Sequence, residues 1–373
     1  MAALTTSWLC QPGMLYTIFH QVSFLITGLG TTLGTQWLFY SGAATGDSYL
    51  IQLSQYTGMI LVGLIIPILL SKQKQQYTSV ATTDDTDELS NRISMDVLDE
   101  DEEKPAHITE METTSNKISD GPIQHKSVMK LALLDVISNF AVTLGFAIVS
   151  SAMYQVIYSS VVIWCAILTY FFMGRKLSKL QWLAIFGTSA GLALSSLGSF
   201  KTPDQQGATT LMTGILLTMG GTFGYSCMYV YSDYILSKQV PAPLPARVCM
   251  TTGCYATVLS LVWIILYTLP RFNTIIHIDP NFTLSSVWGM YFIVMISNTT
   301  HSWNYYELID RTGNVAIGIL QGVRAVLVYI ISHVWYCNTD AAQCFTVYKG
   351  SGSLLVIGCV LLFTVGGSGR KQK

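Results

Sequence analysis

Long apolar runs separated by short polar connections dominate this chain. A helix needs about 20 mostly apolar residues to cross about 30 Å of hydrocarbon at a rise of about 1.5 Å per residue. Backbone groups in lipid must be satisfied within the run, and runs of this length fit helices rather than the strands of a barrel. Ten segments qualify: 14–40, 48–70, 127–149, 152–173, 178–199, 208–236, 244–269, 285–307, 312–336 and 350–367. The pattern predicts an all-α membrane protein with ten transmembrane helices.

Composition agrees with a chain that lies largely in lipid. Charged residues make up 11% of the sequence and the mean hydropathy is +0.45, whereas soluble domains carry about 25% charged residues. Of the 21 acidic residues, 13 lie between Ser71 and Lys126. The segment 71–126 is also rich in Ser and Thr and poor in aromatic residues, which predicts a disordered loop. It is either a solvated linker or a regulatory or sorting segment.

Lysine and arginine are distributed unevenly between the two sets of connections, and this bias predicts orientation. With a cytoplasmic N-terminus, only Lys201, Arg271 and Lys349 lie outside. The inside segments hold Lys72, Lys74, Lys126, Arg175, Lys176, Lys179, Lys238, Arg247, Arg311, Arg370, Lys371 and Lys373. Both termini are therefore expected in the cytoplasm, and the first apolar run is expected to stay as an anchor rather than be cleaved. The sequon at Asn281 then falls in the outer loop 270–284, where it could be glycosylated.

The ten spans divide naturally into two groups of five. Because five is odd, the second group must be inverted relative to the first. The stretch 153–164 of the fourth span and the stretch 314–326 of the ninth span both begin with small and polar residues and then become aliphatic. We divide the chain into an N-terminal tail with spans 1–2 (1–70), an acidic cytoplasmic loop (71–126), spans 3–5 (127–199), spans 6–10 (208–367) and a cytoplasmic tail (368–373).

Three stretches resemble a known family: YFFMGRKLSKLQWLAIFGTSAGLAL (170–194), LLDVISNFAVTLGFAIVSSAMYQVIYSSVVIW (133–164) and LQGVRAVLVYIISHVWY (320–336). They are similar to the drug/metabolite transporter superfamily. Within it they resemble solute carrier family 35, in the nucleotide-sugar-transporter-like branch with members similar to the chloroquine-resistance transporter. The resemblance implies two inverted five-helix repeats and alternating access around a cavity lined by spans 1–4 and 6–9. Relatives often carry a charged residue where this chain has Tyr158.

Ionisable side chains inside a span are costly and usually face a wet cavity or a partner. Arg324 lies near the middle of span 9, where it could attract a phosphate or a carboxylate. The alternative is a structural ion pair with Asp135, its expected counter-charge. Asp135 itself, with Asn139 one turn later on the same face of span 3, is a candidate proton-coupling or cation-recognition site. The alternative for these two residues is a helix-to-helix hydrogen bond.

Other polar side chains complete the expected substrate site. In span 8, Asn298 and His301 begin a polar strip that Asn304 and Tyr305 extend, and His301 is either a proton relay or an interhelical contact. His20 is a weaker candidate of the same kind. In span 6, Gly220, Gly221 and Gly224 favour close packing, and Tyr225 and Tyr229 could stack on a ring or a cation. Further candidates, with interhelical hydrogen bonding as their alternative role, are Gln155, Tyr158, Ser159, Ser160, Gln321, Thr32, Thr35, Gln36, Gln52, Gln55 and Tyr56.

The remaining chemistry is sparse. Cys337 and Cys344 share an outer loop and could form a disulfide or remain free thiols. The eight cysteines form no CxxC pair, so no metal site is expected. Without a Walker motif, a phosphate loop or a catalytic dyad, neither an enzyme nor a cofactor is expected.

We therefore expect a secondary transporter of a small polar or charged organic solute, such as a nucleotide sugar or an amino acid. Protons are a candidate coupling ion, and the surrounding medium is the lipid bilayer. No nucleic-acid partner is expected, and the chain could form a homodimer. The expected location is an endomembrane such as the Golgi or the vacuole/lysosome, with the plasma membrane as the alternative. The alternative functions are a channel or a non-transporting scaffold.

Overall fold

The computed structural model describes residues 12–71, 121–148, 157–158, 160–197, 208–338 and 344–368. These residues fold almost entirely into helices, and no β-strand occurs among them. In chain order the ten helices are α1 (Pro12–Tyr40), α2 (Leu50–Ser71), α3 (His125–Ile148), α4 (Val161–Met173), α5 (Lys179–Leu197), α6 (Ala208–Lys238), α7 (Pro245–Ile275), α8 (Leu284–Thr312), α9 (Asn314–Tyr336) and α10 (Val347–Ser368). The predicted acidic loop and both predicted tails lie largely outside the described residues.

Two helices change their winding where the sequence contains proline. In α2, a 3₁₀ turn at Val62–Ile65 comes just before Pro67. In α7, a π turn at Ile264–Thr268 is followed by a 3₁₀ turn that contains Pro270. Proline has no N–H to donate and its ring crowds the carbonyl four residues earlier. The altered turns let both helices continue past the proline.

The helices run back and forth between two ends of the molecule. One end of the molecule, which we call the basic end, contains the α4–α5 connection, the end of α6 and the start of α9. There the Arg175 side chain donates to Asp233 of α6, which also accepts a bond from Asn314, the first residue of α9. Ser178 bonds Gly366 at the end of α10, and Gln239 bonds Pro122 just before α3. At the opposite end, backbone bonds tie the α1–α2 connection to the α7–α8 connection.

Small residues allow the closest helix pairs to form. The most extensive interfaces join α5 to α10, α3 to α6 and α1 to α8. A Cβ atom added at Gly191 of α5 would lie 2.8 Å from the carbonyl oxygen of Gly352 of α10. Only glycine permits that approach, as is common where membrane helices pack.

The expectation of ten membrane spans is met only in part. Of the described helices, five are long and apolar enough to cross a membrane: Leu50–Ser71, His125–Gly145, Pro245–Ile275, Asn314–Tyr336 and Val347–Gly366. The segment Val161–Met173 is apolar but shorter. Helices α1, α6 and α8 are long enough at 29 to 31 residues. Their Thr, Gly, Ser, Asn and Tyr residues lower the hydropathy, and several of these face the interior.

A candidate solute-binding cavity

A cavity of about 410 Å³ lies between the helices, near their midpoints. Helices α1 to α6, α8 and α9 contribute to its wall. Its polar lining residues are Thr31, Thr32, Thr35, Gln55, Tyr56, Asp135, Asn139, Tyr158, Thr188, Tyr225, Tyr229, Asn298, His301, Ser302, Tyr305, Tyr306, Gln321, Arg324 and Tyr329. The volume lies within the range of about 300–1,000 Å³ that small-molecule sites occupy.

Arg324 lies at the middle of α9 and reaches the cavity beside α1 and α8. Its Nη1 atom is 3.5 Å from Nε2 of His301. The Nδ1 atom of His301 is 3.0 Å from the Phe24 carbonyl oxygen, which can only accept, so Nδ1 carries the hydrogen and Nε2 is the acceptor. A Cβ atom added at Gly28 would lie 2.8 Å from Cδ of Arg324 and 2.9 Å from Cε1 of His301. Glycine at this position of α1 therefore makes room for both side chains.

Asp135 reaches the cavity from α3, beside α2. Its exposed fraction is 9%, and within the described chain its carboxylate makes neither a hydrogen bond nor an ion pair. One turn later, Asn139 donates from Nδ2 to the Tyr56 hydroxyl at 3.4 Å and accepts a bond from Thr143 at 3.2 Å. A buried carboxylate without a partner is unusual, because burial removes its water without replacing it.

The expected ion pair between Arg324 and Asp135 does not form. The ion pairs that join described residues are those of Arg175 with Asp233 and of Arg311 with Glu307. Position along each span predicts that Arg324 and Asp135 lie at a similar depth in the membrane. It does not predict whether they lie on the same wall of the cavity. The two charges lie on different walls because α9 packs on α1 and α4, whereas α3 packs on α6 and α7.

A row of tyrosines crosses the cavity wall between these two regions. The ring centroids of Tyr158 and Tyr225 are 6.3 Å apart, and those of Tyr225 and Tyr229 are 6.4 Å apart. Tyr229 is 5.3 Å from Tyr305, which is 5.0 Å from Tyr306. Tyr225 and Tyr229 therefore line the cavity, as expected for a stacking role.

Two of the three expected glycines of the same helix serve packing. Gly221 and Gly224 face α3, where added Cβ atoms would meet Val142 and Ser138. Gly220 faces open space. Gly221 and Gly224 therefore let α6 pack closely on α3, and the stacking role of Tyr225 and Tyr229 stays a prediction.

The main expected substrate site has eleven residues, and nine of them line this cavity. The eleven are Arg324, Asp135, Asn139, Gln155, Tyr158, Ser159, Tyr225, Tyr229, Asn298, His301 and Gln321. Asn298 also donates from Nδ2 to the Gln55 carbonyl at 2.7 Å, and Gln321 donates to the Tyr229 hydroxyl at 3.3 Å. The other two expected residues, Gln155 and Ser159, lie outside the described residues. The fold therefore places these nine residues around one cavity. Their role in binding stays a prediction.

Some polar candidates lie elsewhere. His20 is fully buried between α1 and α8, where Nδ1 is 2.6 Å from Oδ1 of Asn304, and Asn304 also bonds Ser23. Gln36 bonds the Tyr40 hydroxyl. Gln52 and Ser160 are not part of the cavity wall. His20 and Asn304 thus join α1 to α8, Gln36 bonds within its own helix, and the Ser160 hydroxyl donates to the Ile157 carbonyl.

The helices that form the wall also differ from those implied by the family resemblance. Helix α5 was expected at the periphery, but its Thr188 and Leu192 face the cavity. A Cβ atom at Gly322 of α9 would lie 2.9 Å from Cγ2 of Thr188, so glycine lets α5 come close. Helix α7 was expected to line the cavity, but no residue of it is part of the wall. It packs behind the wall, on α2, α3 and α8.

A buried polar cluster at the basic end was missed by the sequence interpretation. Oδ2 of Asp233 accepts bonds from Arg175 at 2.8 Å, from the Asn314 backbone at 3.1 Å and from Asn314 Nδ2 at 2.8 Å. Asn314 also accepts from Thr169 at 2.8 Å. The preceding residue, Gly313, has a φ of +80°, which favours glycine. An aspartate inside the predicted sixth span was the signal that could have identified this cluster.

The outer-loop predictions concern two further sites. Cys337 and Cys344 are joined in a disulfide. His333 lies close to both sulfur atoms, but its Nδ1 accepts a bond from the Phe345 backbone. Asn281 is exposed just before α8, where Thr283 of the sequon also caps the helix by accepting a bond from Ser286. Its glycosylation stays a prediction.

Comparison with known proteins gives distant relatives. Solute carrier family 35 member F6 of Homo sapiens is 27% identical over 142 residues, which cover 37% of this chain and 38% of that protein. The protein of the same name from Pongo abelii matches to the same extent. An uncharacterized protein of Schizosaccharomyces pombe is 24% identical over 209 residues, or 55% of this chain and 56% of that protein. The chain thus spans about half, or less, of the curated relatives it matches.

No protein-family model matches the chain. A solved crystal structure aligns with a TM-score of 0.60 and 12% identity over 94% of this chain and 98% of that one, which shows a shared fold alone. The apolar helices fit a multi-pass membrane protein, and the relatives show a distant similarity to solute carrier family 35 member F6.

Proposed function

We propose that the protein is a secondary active transporter that moves a small polar or charged organic solute by alternating access. The observation that carries the proposal is a mid-helix cavity that contains Arg324 and Asp135, two charged groups without an ion-pair partner among the described residues. Charges buried among membrane helices usually belong to a solute or ion pathway. The distant likeness to solute carrier family 35 member F6 supports the same class of function.

The proposed architecture is ten transmembrane helices in two inverted repeats, α1–α5 and α6–α10. Exchanging the two groups leaves the packing pattern nearly unchanged. The α1–α8 interface corresponds to α6–α3, and α2–α8 corresponds to α7–α3, while α2–α7, α4–α9 and α5–α10 map onto themselves. Helix α1 begins at the basic end, where Tyr16 bonds Glu307, and α6 ends there at Lys238, just after Asp233. This opposite direction of matching helices supports an inverted repeat.

Closure of one end favours a carrier over an open channel. Between the cavity and the basic end, Leu236, Leu308, Ile309 and Ile317 are at most 2% exposed. The Asp233 cluster lies in the same layer and joins α6, α9 and the α4–α5 connection. A carrier that alternates must close one end while solute is reached from the other. By the distribution of basic residues, we propose that the closed end is cytoplasmic. The proposed location of the protein is an endomembrane.

The proposal is tested by counterflow in proteoliposomes that contain the purified protein. The panel comprises nucleotide sugars, amino acids and cationic drugs at two pH values. A carrier gives saturable uptake that is accelerated by unlabelled solute on the other side. Flux that rises without saturation would favour the channel, and no flux of any solute would favour the scaffold. If protons bind at Asp135, then Asp135→Asn removes the pH dependence of uptake.

A further inference from the structure

Two opposite charges share the central cavity without neutralising each other. Arg324 has His301, a neutral acceptor at 3.5 Å, as its partner. Asp135 is 9% exposed, and within the described chain it has no hydrogen-bond or ion-pair partner. A charge in a low-dielectric interior is unfavourable unless it is paired. Each group therefore lacks a counter-charge that a bound solute could provide.

The surroundings of Arg324 suit the anionic group of a solute. Asn298 and Ser302 lie on the same helix as His301, one turn apart, and both line the cavity. On α1, the Thr35 hydroxyl lines the cavity without a hydrogen-bond partner within the described chain and can donate to a solute. The neighbouring Thr31 and Thr32 hydroxyls already donate to the Thr27 and Gly28 carbonyls. Amide and hydroxyl donors beside a guanidinium are the groups that bind the oxygen atoms of carboxylates and phosphates.

The surroundings of Asp135 suit a cationic group. The Tyr56 hydroxyl accepts a bond from Asn139, one turn after Asp135. Gly224 of α6 packs on Ser138 of α3, which brings the cavity-lining Tyr225 next to the same helix. A carboxylate with aromatic rings nearby is typical of sites for ammonium groups, because the ring faces attract cations.

We propose that the cavity binds a small organic zwitterion, with its ammonium group at Asp135 and its carboxylate or phosphate at Arg324. This inference rests on the proposed transport function and narrows its substrate class. A purely anionic solute would leave the Asp135 carboxylate buried without a counter-charge. A purely cationic solute would do the same to Arg324. A molecule that carries both charges satisfies both walls at once.

The first test uses the unmodified protein and solutes that differ only in charge. Counterflow is measured for phenylalanine, its anionic N-acetyl derivative and its cationic amide, and for the same three forms of glutamine, with phosphoethanolamine as a phosphate zwitterion. We expect kcat/KM for at least one zwitterion to exceed that of its two single-charge derivatives by about tenfold or more, since each derivative leaves one buried charge unpaired. Equal or faster transport of a single-charge derivative would overturn the inference.

The second test changes each charge in turn. In Arg324→Gln, the preference should shift by about tenfold or more towards the amide, because the anion site is lost. In Asp135→Asn, it should shift by a similar factor towards the N-acetyl derivative. Arg271→Gln and Asp279→Asn make the same chemical changes outside the cavity and should leave the preference unaltered. Two variants that lose activity for all forms equally, while still folded, would contradict the assignment of the two walls.

Folding is checked by size-exclusion chromatography in detergent. If Arg324→Gln or Asp135→Asn does not fold, then Arg324→Lys and Asp135→Glu take their place, and both should retain the zwitterion preference. Saturable transport of a nucleotide sugar or a cationic drug, but of no zwitterion, would overturn this inference and leave the transporter function intact. Absence of saturable counterflow for every solute would count against both.

Discussion

The basic end and the central cavity use the same kinds of side chain in opposite ways. At the basic end, the Asp233 and Glu307 carboxylates are paired with Arg175 and Arg311 at 2.8 Å and 3.0 Å. In the cavity, Asp135 and Arg324 have no such partner.

Paired charges hold helices in one arrangement, whereas unpaired charges are available to a ligand. Glu307 joins the start of α1 to the end of α8, and Asp233 joins the end of α6 to the start of α9 and to the α4–α5 connection. In the cavity, Arg324 bonds only the neutral His301 ring, and within the described chain Asp135 bonds no other side chain. The comparison therefore separates residues that should govern stability from residues that should govern transport.

The largest expected effect is a loss of stability in Asp233→Ala. It leaves the buried Asn314 N–H groups and the Arg175 guanidinium without their acceptor, which costs about 3 kcal/mol. Thermal unfolding in detergent, monitored by size-exclusion chromatography, should show a clearly lower melting temperature than that of the unmodified protein. Asp233→Asn keeps an acceptor oxygen and should lose less. A melting temperature equal to that of the unmodified protein would mean that the cluster does not hold the basic end.

The next effect should appear in transport rather than in stability. In Gly28→Ala, the new methyl group displaces Arg324 and His301 from the cavity wall, which should weaken solute binding by about 1–2 kcal/mol. KM in the counterflow assay should rise about tenfold, and thermal stability should change little because the Arg324 side chain can move into the cavity. Gly289→Ala is the matched control, since an added Cβ there has no neighbour within 4 Å. Equal KM values for the two variants would show that the position of Arg324 does not matter.

A smaller effect is expected from His301→Ala. The variant removes the acceptor of Arg324 and the donor to the Phe24 carbonyl, and a hydrogen bond contributes about 1 kcal/mol. KM should change about fivefold, with the melting temperature close to that of the unmodified protein. A large loss of stability would instead assign His301 to helix packing, through its ring stacked 4.2 Å from Phe24.

The smallest effect is expected from Arg311→Ala at the basic end. Its side chain is 36% exposed and its partner Glu307 lies one turn earlier on the same helix. Such pairs contribute about 0.5 kcal/mol or less, and the ring of Tyr16, 4.3 Å from the guanidinium, adds a similar amount when exposed. The melting temperature should stay nearly constant. A decrease as large as that of Asp233→Ala would mean that exposed and buried pairs hold this end equally.

Much of the cavity could be predicted because polar residues are rare in the spans and recur at helical spacing. For example, Asn298, Ser302 and Tyr305 are three or four residues apart, so the sequence predicts that they share one face of the helix. The same rule applied to Asp233 would have identified the basic-end cluster as well. It could not show that Asn304 turns to His20 and away from the cavity, because a helix with polar residues all round does not indicate which neighbour each face meets.

The sequence by itself determined that the chain is helical, that its apolar runs suit a membrane and that a few charges must lie inside it. These properties follow from local composition and from the need to satisfy backbone groups in lipid. Only the tertiary structure decided that Arg324 and Asp135 lie on separate walls, that α5 replaces α7 beside the cavity, and that Asp233 meets Asn314. Contacts between distant segments depend on which helices pack together, and that choice rests on small-residue complementarity, such as Gly191 against Gly352, which no single helix reveals.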